Sequence, residues 1–302
     1  MATHSPSRHT ASLYHMKVLV LGAKGMAGHV IYKRLQDRGY SVKGTSRYAD
    51  QYADDSILKF DAAETNKWIP FFDVFKDSKF DLIVNCIGVL VKTSKEHPWL
   101  ANTVNTILPK FLETHFDGTS TKIIHISTDC VFDGKRGDYA VWEKPNETNN
   151  YGRSKALGEL KNSKDLTIRT SIIGLELNDK SNASSNCGLI HWFLSQPKGS
   201  TIQGYSQCFW SGISTLELAD AIEWYIDHPL TGLHQVSRVI KTSKHRLLTL
   251  ANDIFERGLV IEDDATKVVD KSLAPSTLGY TVENTYADML SRMNLDLAKY
   301  GY

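Results

Sequence analysis

The sequence has almost no net charge: 35 basic residues stand against 34 acidic ones in 302. That balance removes the electrostatic argument for a nucleic-acid or anionic-membrane partner and leaves a small molecule as the default. Cysteine is scarce as well. The four present, Cys86, Cys130, Cys187 and Cys208, show no CxxC spacing, no metal-ligand pattern and no disulfide framework. A reducing, cytoplasmic setting is therefore expected, with no metal. No apolar run is long enough to span a bilayer, and there is no internal repeat or low-complexity tract. The opening MATHSPSRHTASLYH is polar, lacks acidic residues and has no apolar core. It reads as a disordered tail or an expression remnant ahead of Met16 rather than a secretion signal, with a short transit peptide as the second choice. Without a secretory signal the sequons at Asn146 and Asn182 carry little weight.

From Met16 onward, short β-branched runs alternate with helical stretches: KVLVLG, MAGHVIYKRLQDRG, YSVKGTS, then DLIVNCIG, KIIHIST and LTIRTSIIG. Continuously apolar strands separated by helices imply a parallel sheet covered on both faces. The expected fold class is α/β, a doubly wound Rossmann sheet over residues 16–175. After about residue 175 the rhythm breaks, with SNASSN as a loop and STLELADAIEWYI as a helix. Residues 176–302 read mainly as a smaller substrate-binding region over the carboxyl edge of the sheet, where open α/β folds take ligands, with some elements returning to the Rossmann domain.

The first strand runs directly into Gly22, Gly25, Met26 and Gly28 and then a helix. Glycines at this spacing let the chain turn tightly, approach a pyrophosphate and pack helix against strand, while the helix N-terminus faces the phosphates. The second strand ends in Ser46 and Arg47. An NAD site usually places an acid there for the ribose 2′-hydroxyl, whereas an arginine suits a 2′-phosphate. NADP is therefore expected, with NAD the alternative if Arg47 is only a solvated surface residue; Asp50 and Asp54 come too late in the loop. Further on, Tyr151 precedes Lys155 by one helical turn. An ammonium on the same helix face can stabilise a phenolate, lowering the phenol's pKa so that it exchanges a proton near neutral pH. Helix packing is the plainer reading of the pair.

Taken together, GAKGMAG, the NCIG after the fourth strand, STDCVFDG after the fifth and YGRSK resemble the extended short-chain dehydrogenase/reductase superfamily. Within it the chain is most similar to the dTDP-4-dehydrorhamnose reductases and related sugar-nucleotide reductases, densely from Met16 to about Gly174. The resemblance implies that Gly22, Gly25 and Gly28 form the cofactor turn and that Asp61 and Ala62, closing the third strand, lie near adenine. It also implies that Cys86, Ile87 and Gly88 line the cofactor and that Asn105 supports the neighbouring strand. Thr128 matches the family's catalytic hydroxyl residue, with Ser127 and Asp129 beside it as candidate substrate contacts, and Tyr151 and Lys155 complete the set. Lys155 would hold the nicotinamide ribose and tune Tyr151, which would protonate the carbonyl oxygen.

Dehydratases of this superfamily read Thr-Asp-Glu where this chain has Thr128, Asp129 and Cys130, which favours reduction over loss of water. Asp129 could instead be structural, satisfying backbone donors in the turn. Cys130, with His191 as its named partner, would suit an epimerase of the fucose-synthase kind or merely fill a buried turn. Trp210, in GYSQCFWSG, could stack on a pyrimidine base or fill the core, and His234, in HQVSR, sits in a strand of structural role. The implied activity is NADPH-dependent reduction of a nucleotide-activated 4-keto-6-deoxy sugar in deoxysugar or polysaccharide synthesis, the nucleotide being dTDP, UDP or GDP. An epimerase and a non-catalytic NADP-binding regulatory subunit are the alternatives, and a homodimer is left open.

Overall fold

The computed structural model describes residues 16–51, 54–76, 79–177, 188–276 and 278–300. The expectations for the first fifteen residues, Asn182, the SNASSN loop and Cys187 lie outside these. Five strands come from the predicted runs, β1 (Lys17–Leu21), β2 (Ser41–Ser46), β4 (Leu82–Asn85), β5 (Lys122–Thr128) and β6 (Leu166–Thr170), and the third strand that the resemblance implied is β3 (Ile57–Lys59). A seventh, β7 (Gly232–Gln235), joins from the C-terminal half. All seven form one sheet in the order β7-β6-β5-β4-β1-β2-β3, every neighbour parallel. Val18, Leu19, Val20 and Leu21 are all buried, as a strand covered on both faces requires.

Helix α1 (Gly28–Asp37) covers one face through Val30, Ile31 and Leu35. Its entry depends on two glycines. Gly22 sits at φ +78°, and a Cβ on Gly28 would fall 2.0 Å from the Gly22 carbonyl oxygen. Only hydrogen at position 28 lets the helix start so close to the strand end.

The helix expected at STLELADAIEWYI is Thr215–Asp227, opened by a capping box in which Ser214 and Glu217 satisfy each other's backbone donors. It lies beside α1 rather than over the sheet edge: Arg34 of α1 bonds Asp220 at 2.8 Å and Glu223 at 3.2 Å. The remaining C-terminal strands are short. Thr201–Tyr205 pairs with Val260–Asp264, and Cys208–Trp210 lies between Thr242–Ser243 and Val269–Asp270. No helix among the described residues is long and apolar enough to cross a membrane.

Candidate active site

A cleft of about 290 Å³ opens at the carboxyl end of β1, β2 and β4, where Gly22 and Gly25 meet Ser46 and Arg47 on one side and Cys86, Ile87 and Gly88 on the other. Gly22 donates its N–H to the Thr45 hydroxyl (3.0 Å) and Ala23 to the Thr45 carbonyl (2.9 Å), which ties the glycine turn to β2. Arg47 is exposed, its guanidinium 4.9 Å from the centre of the Tyr48 ring. The two acids nearby are engaged elsewhere, Asp50 with Lys59 and Asp54 with the Ser56 N–H at 2.9 Å. Lys24 also lines the cleft, a cation that the glycine pattern leaves unmarked because it occupies a variable position of the turn.

Asp61 and Ala62 line the far wall with Phe60. The third strand ends at Lys59, however, so they follow it rather than close it; the Asp61 carboxylate accepts the Ala63 N–H at 2.9 Å and bends the chain there. Met26, Gly28 and Asn105 are not part of the lining. The Met26 sulfur points toward Gly188, and Gly28 serves the helix crossing. Asn105 accepts the Val89 N–H (2.8 Å) and donates to the Val89 carbonyl (3.0 Å) and the Ser154 hydroxyl (3.1 Å). It thus clamps the loop after β4 to the Tyr151 helix. It does so from a π-helical segment, Asn102–Ile107, a distortion often found at functional sites.

Thr128 ends β5, and Tyr151 and Lys155 lie on α2 (Asn150–Gly158), whose first turn is capped by Asn149 accepting from the Gly152 N–H at 2.9 Å. Two glycines bring α2 in close. A Cβ on Gly152 would meet the Cys130 carbonyl oxygen at 2.2 Å, and one on Gly158 the Asn105 carbonyl oxygen at 2.0 Å. Tyr151 is hydrogen-bonded to Thr128. Lys155 is buried and donates to the Ile126 carbonyl at 2.6 Å. Burial lowers its pKa to about 8, against the pull of Glu159 and Cys86. The same burial pushes the Cys86 thiol up to about 12. For Tyr151 the expectation of a lowered pKa is overturned: burial, with Cys130 and Asp129 nearby, raises it, outweighing the bond from Thr128, and Lys155 is absent from its causes. The Lys155 ammonium is directed at the β5 backbone instead.

The profile of the RmlD substrate binding domain matches residues 16–176. The chain belongs to the RmlD family. It is 32% identical over 146 residues to the probable low-salt glycan biosynthesis reductase Agl14 of Haloferax volcanii, covering 48% of either chain. Over 144 residues it is 27% identical to methionine adenosyltransferase 2 subunit beta of Xenopus tropicalis, covering 47% of this chain and 41% of that one. The match spans about half the length, or less, of these curated relatives. A crystal structure of dTDP-4-dehydrorhamnose reductase from Bacillus anthracis in complex with NADP superposes with a TM-score of 0.78 over 93% of this chain and 99% of that one, at 19% identity. That likeness speaks to the fold.

In this RmlD-family chain the remaining candidates are placed by their neighbours. Ser127 does not face Thr128's side of the strand; its hydroxyl donates to Glu159 at 3.0 Å, beneath the site. That follows from the alternation of side chains along β5. Asp129 is buried and accepts from Thr128 at 3.0 Å, from Ser171 and from Cys130, so its partners are side chains rather than the backbone donors expected of a turn. Trp210 is buried, donates to the Ser171 hydroxyl at 2.9 Å and packs against Tyr286, which places it in the core. Cys130 is no thiolate, since burial and Asp129 push it up to about 12. His191 lies on the helix Leu189–Ser195, and His234 in β7 contacts the Thr231 carbonyl. Sequence reasoning missed Lys271, half-buried near Cys130 and Asp129 and paired with Glu147 at 2.7 Å.

Proposed function

We propose that this protein is an NADPH-dependent reductase of a nucleotide-activated 4-keto-6-deoxy sugar, of the dTDP-4-dehydrorhamnose reductase kind. One observation carries the reading: Thr128 and Tyr151 are hydrogen-bonded to each other beside a buried Lys155 whose electrostatic neighbour, Cys86, lines the cleft. The names of the relatives support it.

The residues present fit a dinucleotide. The Gly22–Gly25 turn offers a backbone cradle, and Arg47 and Lys24 offer cations for a 2′-phosphate. Cys86, Ile87 and Gly88 would carry the nicotinamide end. Bound there, the cofactor would supply a hydride to the carbonyl carbon. Tyr151 donates its phenolic proton to the carbonyl oxygen as charge develops, and Thr128 hydrogen-bonds the same oxygen. Lys155 holds positive charge beneath the pair. Residues 16–175 make the cofactor half of the enzyme, and residues 176–302 supply most of the substrate side.

Incubation with NADPH and a panel of dTDP-, UDP- and GDP-linked 4-keto-6-deoxy sugars tests this, following cofactor absorbance. Stoichiometric oxidation is expected, with Tyr151→Phe lowering turnover roughly 100-fold while leaving cofactor affinity largely intact. Turnover without net oxidation would make the protein an epimerase. Binding without turnover would favour a regulatory subunit, a reading the similarity to methionine adenosyltransferase 2 subunit beta keeps in view.

A further inference from the structure

Thr128 has a single hydroxyl hydrogen, and the structure commits it. Its oxygen accepts the Cys130 N–H at 3.1 Å, while its hydrogen goes to the Asp129 carboxylate at 3.0 Å. Tyr151 is bonded to the same hydroxyl, so the phenol and Asp129 compete for Thr128's one hydrogen. The Thr128 hydroxyl that a carbonyl oxygen would need is thereby turned toward Asp129. Behind Asp129 the network is fixed. Ser171 accepts the Trp210 indole N–H at 2.9 Å, leaving its own hydrogen for Asp129, and the Tyr286 hydroxyl anchors Trp210 through its carbonyl at 3.0 Å.

We propose that Asp129 is a positioning residue that sets the direction of the Thr128 hydroxyl. Ionised, Asp129 keeps the Thr128 hydrogen for itself. Protonated, it donates to the Thr128 oxygen, and the Thr128 hydrogen swings to the incoming carbonyl oxygen beside the Tyr151 phenol. The proposal rests on the reading of Thr128 and Tyr151 as carbonyl-facing donors. The groups that face Asp129 are Thr128 and Cys130 from its own segment, Tyr151 from α2, Ser171 after β6 and Lys271 after the strand Val269–Asp270. Lys271 is the one cation among them, and its amine is paired with Glu147. Burial, the dominant influence, favours the protonated carboxyl and raises its pKa above the ordinary aspartate range.

The test compares native protein, Asp129→Asn and Asp129→Ala. Asparagine offers Thr128 a permanent N–H donor and does not titrate. With NADPH and a dTDP-linked 4-keto-6-deoxy sugar, native kcat should fall in two steps as pH rises, about tenfold per pH unit beyond the first. The first step belongs to Asp129 and the second to Lys155. Asp129→Asn should lose the first step and keep the second, while Asp129→Ala should lose turnover that the asparagine retains. A two-step profile unchanged in Asp129→Asn overturns the proposal. Infrared pH-difference spectra, native minus variant, provide the arm that needs no turnover. They should show a carboxylic-acid C=O band that disappears only above the ordinary aspartate range, and its absence also overturns the proposal. The alanine variant serves the same subtraction should the asparagine variant not fold. If no sugar is reduced while the band is present, the reductase reading falls and the buried protonated Asp129 stands.

Discussion

Breaking the ion pair beneath the proposed catalytic residues should cost more stability than any surface change in this protein. Glu159 and Arg169 are both fully buried and meet in a two-bond fork, 2.9 Å from Nε and 2.8 Å from Nη2. Ser127 donates to the same carboxylate at 3.0 Å, and the other guanidinium nitrogen reaches Gln235 of β7 at 3.4 Å. The pair thus ties β5, β6, β7 and the end of α2 together. Arg169→Met would strand a carboxylate in the interior with no hydrogen-bond partner but the Ser127 hydroxyl, the more distant charge of Lys155, and Lys161, 3.7 Å away and largely exposed. Removing one partner of a buried pair costs about 3–5 kcal/mol, whereas replacing both by apolar groups is often neutral or stabilising. Urea unfolding of Arg169→Met, Glu159→Leu and the double variant should therefore show a coupling of about 3 kcal/mol or more, with the double variant more stable than either single one. A loss below about 1 kcal/mol for Arg169→Met would refute the reasoning. The pair also reaches the chemistry, because Glu159 holds up the Lys155 pKa of about 8. In Glu159→Gln that support is gone, so loss of the ammonium, and of turnover with it, should move to lower pH. An unmoved alkaline limb would separate Glu159 from the site.

Arg47→Ala should weaken NADPH binding by about 1–3 kcal/mol and leave NADH nearly unchanged, since only the former has a 2′-phosphate to lose; equal losses by fluorescence titration would remove the assignment. His29, buried with its ring nitrogen 2.9 Å from the Gly25 carbonyl, has its pKa lowered to about 4, mainly by burial. The unfolded chain therefore takes up a proton below about 6.5 that the native state refuses, so stability present at neutral pH drains away as pH falls toward 4. The loss reaches about 3 kcal/mol. Unfolding curves of His29→Leu should lack that share of the slope, and an identical slope would contradict it. Gly158→Ala would drive a methyl into the Asn105 carbonyl oxygen. It should cost about 1–3 kcal/mol and lower turnover by moving α2, whereas Leu157→Ala, 61% exposed beside it, should change stability by less than about 0.5 kcal/mol.

What the sequence made legible is what short-range pattern controls. KVLVL and KIIHIST read as buried strands because every residue between their ends, His125 excepted, is apolar or small, and the Gly22–Gly28 turn reads as a cradle because its glycines are needed locally. β7 was legible only by resemblance, through HQVSR around His234, since GLHQ has neither length nor alternation and is held as a strand by pairing with β6. Trp210 faced the same limit: its nitrogen partner, Ser171, is 39 positions away, and nothing near Trp210 announces a core position. Asn105 could be linked to a neighbouring strand by resemblance, but its clamp on Val89 and Ser154 exists only because a π-helical segment turns it there. Tyr151 shows the limit most clearly. The spacing to Lys155 correctly puts both on one helix, and a charge one turn away lowers a phenol's pKa if water and geometry allow it. Exposed pairs of that spacing exchange only a few tenths of a kcal/mol, whereas withdrawing a phenolate from water costs several times more. Once Gly152 and Gly158 let α2 settle against Cys130 and Asn105, the second effect wins. The glycines that make the site compact therefore also keep its tyrosine protonated, which is the state a proton donor must occupy before it acts.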